Sequence, residues 1–224
     1  MDSTQLIEQL QLSTANQQLL RQHLKQFTFE RSGPVIHKGQ EVSGAYMVLE
    51  GQLRVFTYST EGNEATLYLL RPGEACVLTL NCLFNDFRYP AWVEASAGSS
   101  VALIPGQQFR QLFKEEASIK EITVKALSTV VFRLMDALEE AQTCTLDQRL
   151  ARFLINNSTT AGELKMTQQE IAHHLGTTRE VIARLLRAFK ADSMVSTKRG
   201  TVVIEDEVAL TSLVTPDDAI WPAN

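Results

Sequence analysis

The sequence predicts an α+β fold in which an antiparallel β domain, a long helix and a small helical C-terminal domain follow one another. Three observations carry this prediction. From about 27 to 104, short runs rich in Val, Leu, Tyr and Thr alternate with Gly- and Pro-containing turns. From 107 to 142, Gly and Pro are absent and apolar residues repeat in heptads. From 167 to 187, two helix-capping sequences follow each other closely. We expect domain boundaries near 1–112, 113–143 and 144–224.

The composition excludes several classes of protein. A hydrophobic fraction of 44% in 224 residues is too high for a disordered chain and suffices for one or two domains. No apolar run is long enough to span a membrane, and the first residues lack the pattern of a secretory signal, so we expect a cytoplasmic protein. Three cysteines without a C-x-x-C pair favour reduced thiols over disulfides or a zinc site.

The elements are predicted in chain order. Leucines spaced through residues 1–27 indicate one or two short amphipathic helices, and the turns between 33 and 73 indicate an all-β barrel or roll. In the long helix, steps of three and four residues suggest that two copies pair in a parallel homodimer; the alternative is a helix packed on its own domain. The predicted seam consists of Val124, Leu127, Val131, Leu134 and Leu138.

The C-terminal domain begins at a predicted hinge, Cys144-Thr145, where Thr145 and Gln148 can cap a helix from Leu146 to about Leu154. Capping pairs Thr167/Glu170 and Thr177/Glu180 then start two short helices, with a tight turn at Gly176. Segments 193–195 and 201–204 are predicted as strands around a turn at 196–200. This pattern is typical of a helix-turn-helix followed by a β-hairpin wing.

The second of these helices carries the residues that we expect to read DNA. Arg179, Glu180 and Arg184 lie in its first turns, where arginine can bond guanine and a carboxylate can accept from cytosine. The alternative is a solvated face on which Glu180 and Arg184 form an ion pair. The predicted DNA-contact residues are Thr167, Gln168, Thr177, Thr178, Arg179, Glu180, Arg184, Lys198 and Arg199.

Net charge taken over the whole chain hides this basic region. A total of -5 argues mildly against a nucleic-acid partner. Between 165 and 200, however, seven basic residues face three acidic ones, a net charge of +4. Much of the acid lies in residues 1–144 and in the tail at 205–207 and 217–218. We therefore expect double-stranded DNA as a partner.

Five pieces of sequence resemble the CRP/FNR superfamily of bacterial transcription regulators. They are 38–40 with 45–56, 61–62 with 67–74, 109–113 as the start of the dimer helix, 146–154, and the helix-turn-helix. The resemblance implies a homodimer with an effector-sensing β-roll (a double-stranded β-helix), a palindromic DNA site and contact with RNA polymerase. Arg179, Glu180 and Arg184 are similar to the cAMP receptor branch, which implies TGTGA-like half-sites. The FNR branch has Ser where Ala183 stands here.

The resemblance leaves the effector open. The cAMP receptor branch uses a Gly-Glu and an Arg-Ser, whereas Thr79-Leu80 and Tyr89-Pro90 stand here and Arg88 is one residue out of place, so we do not expect cAMP binding. The first 75 residues lack the cysteines of an iron–sulfur cluster. The family's haem sensors have a His two residues after a Cys. Here Leu78 stands at that position, two residues after Cys76.

A haem site at Cys76, a thiol switch between Cys76 and Cys82, and two merely buried cysteines remain as alternatives. The sensor candidates are Cys76, Thr79, Cys82 and Arg88, with an unidentified small-molecule or redox effector. No histidine pair has metal-ligand spacing, so we assign no metal site.

Two other functional classes compete with the regulator. A cupin-like enzyme would carry His-x-His, and other enzymes would carry G-x-S-x-G or a glycine-rich phosphate loop; the sequence contains none of these, so we do not expect catalysis. A signalling module that binds a ligand but no DNA is the second alternative.

Overall fold

The computed structural model describes residues 2–85 and 87–214, except for the side chain of Asn81. The chain forms two compact units. The first contains residues up to Thr57 together with Leu67–Met135, and the second contains Tyr58–Thr66 together with the residues from Asp136 onward. Part of the predicted acidic tail, at 217–218, lies outside the described residues.

The first unit starts with two short helices and continues into antiparallel sheets, as the sequence predicts. The helices are α1 (Ser3–Gln9) and α2 (Thr14–His23). One sheet has the strand order β1-β7-β3 and another has the order β2-β6-β4-β5. The strands are β1 (Lys25–Phe29), β2 (Gly33–Ile36), β3 (Gly44–Glu50), β4 (Leu53–Tyr58), β5 (Glu64–Leu70), β6 (Trp92–Ala95) and β7 (Ser99–Pro105). Central β7 is buried along nearly its whole length, and it pairs with β1 and β3.

One helix interrupts the segment that the sequence predicts as wholly β. Helix α3 (Val77–Asn85) follows the turn after β5. Its first turn is fixed by Cys76, whose carbonyl accepts from the backbone N–H of Leu80 at 3.2 Å and from the Thr79 hydroxyl at 2.6 Å. Three of the four residues in the run Val77–Leu80 are apolar, and a short run of this kind has no period that distinguishes a buried helix from a buried strand.

The predicted single helix over 107–142 is two helices, α4 (Gly106–Glu115) and α5 (Ala117–Thr143). The break is at Glu116, which has extended backbone angles. Its carboxylate accepts from the backbone N–H and hydroxyl of Ser13 and from the Asn16 amide. These hydrogen bonds, of which the bond from the Ser13 hydroxyl has the largest effect, lower the pKa of Glu116 and keep it in the carboxylate form. The segment 109–113, expected to begin the dimer helix, lies on α4 instead.

The second unit contains the predicted helix-turn-helix and wing. Its helices are α6 (Leu146–Asn157), α7 (Gln168–Leu175), α8 (Arg179–Ala191) and α9 (Glu207–Leu213). Its sheet has the order β8-β10-β9, formed by β8 (Glu163–Leu164), β9 (Val195–Lys198) and β10 (Thr201–Ile204). Apolar residues of every helix meet in one core that includes Leu150, Ile171, Ile182 and Leu210.

Two boundaries in this unit differ from the prediction. Helix α6 continues to Asn157, three residues beyond its predicted end near Leu154. The first wing strand is Val195–Lys198 rather than 193–195, and Thr201 pairs with Lys198. The wing turn therefore contains only Arg199 and Gly200, and Gly200 has a φ of 71°, a conformation that glycine adopts readily.

Candidate nucleic-acid interface and sensor residues

The two helices of the helix-turn-helix are fixed by local caps. The Thr167 hydroxyl oxygen accepts from the Glu170 backbone N–H at 3.2 Å, and Glu170 accepts in return from the Thr167 N–H at 2.7 Å. Helix α7 ends at Gly176 in the left-handed conformation, with a φ of 66°. This turn sets the start of α8.

The cap of α8 is Thr178, not Thr177 as the sequence predicted. The backbone N–H of Thr177 bonds the Ala172 carbonyl and so belongs to the end of α7. Thr178 is extended, and its hydroxyl oxygen accepts from the Val181 N–H at 3.4 Å. Glu180 is consequently the second residue of α8 and makes no capping box.

Helix α8 presents its predicted reading residues to solvent. Ile182, Leu186 and Phe189 turn towards the core, whereas Arg179, Glu180 and Arg184 are exposed. Within the described residues, the side chains of Glu180 and Arg184 form no ion pair with each other. The guanidinium groups are therefore available to a ligand, as a recognition helix requires.

The wing completes a concave basic surface beside α8. A space of about 610 Å³ separates the start of α7, the start of α8 and the wing turn. Five predicted contact residues line it, namely Thr167, Gln168, Arg179, Lys198 and Arg199. Cations flanking a concave surface at helix N-termini suit the phosphate backbone of a duplex.

The same surface includes polar residues that the sequence analysis did not select. Gln169 follows the cap of α7, and Thr197 and Thr201 flank the wing turn. Thr201 could have been found from its place next to buried Val202, because neighbouring residues of a strand point to opposite faces. No such signal marks Thr197, which is two residues from buried Val195.

Three of the four sensor candidates, Cys76, Thr79 and Cys82, lie on α3 or at its start, and Arg88 lies outside this helix. Thr79 is buried, and its hydroxyl serves the first turn of α3. Arg88 is exposed, with its guanidinium against the Gly39 carbonyl at 3.1 Å and Glu41 at 3.5 Å. Cys76 and Cys82 are both buried. They stand six residues apart across α3, a rise of about 9 Å along the helix, which is too long for a disulfide unless α3 unwinds.

Two tyrosines surround Cys76 in the interior of the first unit. The Tyr89 hydroxyl lies 3.3 Å from the Cys76 sulfur, and both residues are 1% exposed. The buried Tyr68 hydroxyl interacts electrostatically with Cys76 but makes no hydrogen bond of good geometry. Burial, followed by the electrostatic interaction with Cys76, raises the pKa of each tyrosine far above its ordinary value. Burial also raises the pKa of Cys82.

Within residues 2–85 and 87–214, no three His, Cys, Asp or Glu side chains are grouped so that they could hold a metal ion. In the same residues, no helix is both long and apolar enough to cross a membrane.

Comparison with known proteins matches both units. Residues 26–116 match the cyclic nucleotide-binding domain family, and residues 148–213 match the Crp-like helix-turn-helix domain family. The global nitrogen regulator of Synechocystis sp. PCC 6803 is 26% identical over 84% of this chain and 88% of its own length. The cAMP-activated global transcriptional regulator CRP of Salmonella typhimurium is 25% identical over 76% and 84%.

Solved structures match over most of the chain. A crystal structure described as a transcriptional regulator of the CRP/FNR family, from Eubacterium rectale ATCC 33656, is 30% identical with a TM-score of 0.82. The alignment covers 91% of this chain and 95% of that one. The c-di-GMP responsive global regulator CLP of Xanthomonas campestris shares the fold, with a TM-score of 0.75 at 19% identity over 86% of this chain and 99% of its own.

Proposed function

Because the chain belongs to the CRP/FNR family of DNA-binding transcription regulators, we propose that it works as a homodimer on a palindromic site with TGTGA-like half-sites. In this proposal an effector or redox signal sensed in the β domain controls DNA binding, and the bound dimer contacts RNA polymerase. The observation that carries the proposal is the exposed set Arg179, Glu180 and Arg184 at the start of α8, whose side chains form no ion pair with any residue that the structure describes.

Base reading follows from the chemistry of these three side chains. An arginine fork can bond the O6 and N7 atoms of guanine together, and a carboxylate can accept from the N4 amine of cytosine. Glu180 and Arg184 are four residues apart and share a face of α8. Lys198 and Arg199 in the wing would contact phosphates, which position the protein without reading sequence.

Dimerisation is supported by an exposed apolar stripe on α5. Among the predicted seam residues, Val124 is 60% exposed and Leu138 is 59% exposed. Leu127, Val131 and Leu134 between them are also exposed, and Phe132 and Met135 widen the stripe on one side. Since a contiguous apolar patch of this kind is rare on a monomer, we assign it to a second copy of the helix.

The residues do not fit a cyclic nucleotide in the site used by the cAMP receptor branch. Arg88, the nearest candidate for a phosphate clamp, bonds the Gly39 carbonyl at the surface. Buried Tyr89 occupies the position of the family arginine and points its hydroxyl at Cys76. We therefore do not propose cAMP as the effector.

A haem- or thiol-based sensor of the same family is the second candidate, favoured by Cys76 between two buried tyrosines. The raised pKa of Cys82 keeps that thiol protonated, which opposes a fast thiol switch. An absorption spectrum with a Soret band after haem addition would support a haem site. DNA affinity that changes reversibly with peroxide and dithiothreitol would support a thiol switch.

The mechanism that we propose is a population shift between two dimer arrangements. The α5–α6 junction at Cys144-Thr145 is the proposed hinge, where the Thr145 N–H donates to the Gln148 side chain at 3.0 Å and restarts the helix. In the active arrangement, two recognition helices would stand about 34 Å apart, one turn of DNA.

A mobility-shift titration tests the proposal. A duplex with two TGTGA-type half-sites is compared with a scrambled duplex at several salt concentrations. We expect tighter retardation of the palindrome and a steep loss of affinity as salt rises. Binding that ignores both sequence and salt would favour the ligand-binding module that contacts no DNA.

A further inference from the structure

A cavity in the first unit lies apart from all the sensor candidates. It has a volume of about 400 Å³ and is lined by α1 and Leu10, by Met47 of β3, by the turn after β5 and by α5. Cys76, Cys82, Thr79 and Arg88 do not line it. Its volume falls in the range of small-molecule sites, about 300 to 1,000 Å³.

Most of the residues that line the cavity are apolar. Leu6 and Leu10 come from the N-terminal helical segment, Leu70 and Val77 come from either side of the turn, and Val130 comes from α5. All five are buried in the core of the unit. Space remains between them because α5 contributes small side chains, Ala126 and Thr129, at the points nearest to the cavity.

Three polar groups line one side of the cavity, two of them cations. Lys125, Thr129 and Arg133 are spaced four residues apart along α5, so they lie on one face of the helix. Arg133 is neutralised by Glu74, with 2.8 Å between nitrogen and oxygen, and its guanidinium also bonds the Leu69 carbonyl. Within the described residues, the Lys125 ammonium forms no ion pair, even with Glu121 one turn earlier.

We infer that this cavity binds a small amphipathic anion, a monocarboxylate with an aliphatic or aromatic body. The carboxylate would pair with Lys125, and the body would lie against Leu10, Ala126 and Val130. Arg133 and Glu74 neutralise each other at the cavity, so the exposed Lys125 leaves one net positive charge there. Apart from Gln9 and Thr129, the rest of the lining is apolar. A neutral ligand would leave that charge without a partner, and a cationic ligand would be repelled by it.

The inference deepens the proposed function, because it names an effector class and a place where the effector would act on α5. The residues that line the cavity and the residues of the predicted seam lie on different faces of this helix. Binding itself does not depend on DNA and can be measured alone.

The test is equilibrium dialysis of the full chain with octanoate and, as a neutral probe of the same shape, octanamide. We expect one saturable octanoate site per chain and weaker binding of octanamide. Lys125→Met keeps most of the side-chain volume and should weaken octanoate about tenfold or more, with octanamide unchanged. Thr129→Leu should fill the cavity and abolish the binding of both.

Lys120→Met is the matched control, since Lys120 is on α5 but donates to the Lys114 carbonyl outside the cavity. It should bind octanoate as the unmodified chain does. The inference is overturned if the unmodified chain shows no saturable octanoate binding up to about 10 mM. It is equally overturned if the Lys125→Met and Thr129→Leu proteins bind octanoate as well as the unmodified chain.

The mobility shift with the palindromic duplex separates this result from the proposed function. If sequence-specific retardation is absent with and without octanoate, the regulator assignment fails, while the dialysis result still decides the cavity.

Discussion

Leu134→Asp tests the dimer seam most directly. Leu134 is 41% exposed in the single chain, and fully burying a leucine stabilises by about 1.5 to 3 kcal/mol. Burying the exposed part would therefore contribute about 1 to 2.5 kcal/mol per dimer, counting both copies. In the variant, two carboxylates face each other in an apolar seam, which costs a further few kcal/mol.

A combined loss of about 4 kcal/mol raises the dissociation constant of the dimer roughly 1,000-fold. The assay is sedimentation equilibrium from about 1 µM upward, with circular dichroism to verify that the helices are intact. We expect a monomer that has lost tight binding to the palindrome. Val208→Asp is the control, because Val208 is an exposed apolar residue on α9, away from the seam. A Leu134→Asp protein that stays dimeric at low concentration and binds DNA normally would refute the seam.

Three further predictions concern DNA reading and the buried tyrosines. Arg184→Ala should weaken the free energy of DNA binding by about 1 to 3 kcal/mol, and the loss should be concentrated at one base pair of the half-site. Arg199→Ala should weaken binding to all duplexes alike and reduce the slope of affinity against salt by about one. Equal losses on all duplexes for both variants would contradict the assignment. Tyr68→Phe removes a buried hydroxyl without a hydrogen bond and should raise the free energy of unfolding by about 1 kcal/mol in urea titrations, so a destabilised variant would argue against this account. Above about pH 10, tyrosines in the unfolded chain lose their protons. Tyr68 and Tyr89 keep theirs in the folded protein, because their native pKa values are raised. The unfolded state then binds fewer protons than the folded state, so the free energy of unfolding should fall as pH rises. The variant with both Tyr68→Phe and Tyr89→Phe should show a smaller fall of stability with pH. An unchanged slope of stability against pH would show that these two tyrosines are not its cause.

The features that the sequence predicted are those set by contacts close in the chain. The cap between Thr167 and Glu170 spans three residues and needs no partner from elsewhere, so the start of α7 is visible in the sequence. The exposed arginines of α8 follow in the same way, because burial of Ile182 and Phe189 fixes which face remains outside.

Two features that the sequence missed depend on distant residues, and a third depends on the backbone conformation of one glycine. The break between α4 and α5 is held by Ser13 and Asn16, about a hundred positions away from Glu116. Helix α3 replaces a strand because Cys76 already donates its backbone N–H to the Tyr46 carbonyl, after which the chain turns away from the sheet. The cap of α8 shifts by one residue because Gly176 turns into the left-handed region and ties Thr177 to α7. Propensity alone does not encode any of these three contacts.

Helix α5 has one face that the sequence predicted, the seam, and one that it did not, the cavity wall. The seam repeats along the chain, so the sequence reveals it as a heptad pattern. The cavity lies between four separate segments of the chain, which only the fold brings together. A ligand at Lys125 can shift the dimer equilibrium only by the amount by which its contact differs between the two arrangements. A charge-assisted hydrogen bond is worth about 1.5 to 3 kcal/mol, which limits the change in DNA affinity through this contact to roughly 10- to 150-fold. A larger response to an amphipathic anion would require the apolar walls at Leu10 and Val130 to move as well, and Lys125→Met would then leave part of the response intact.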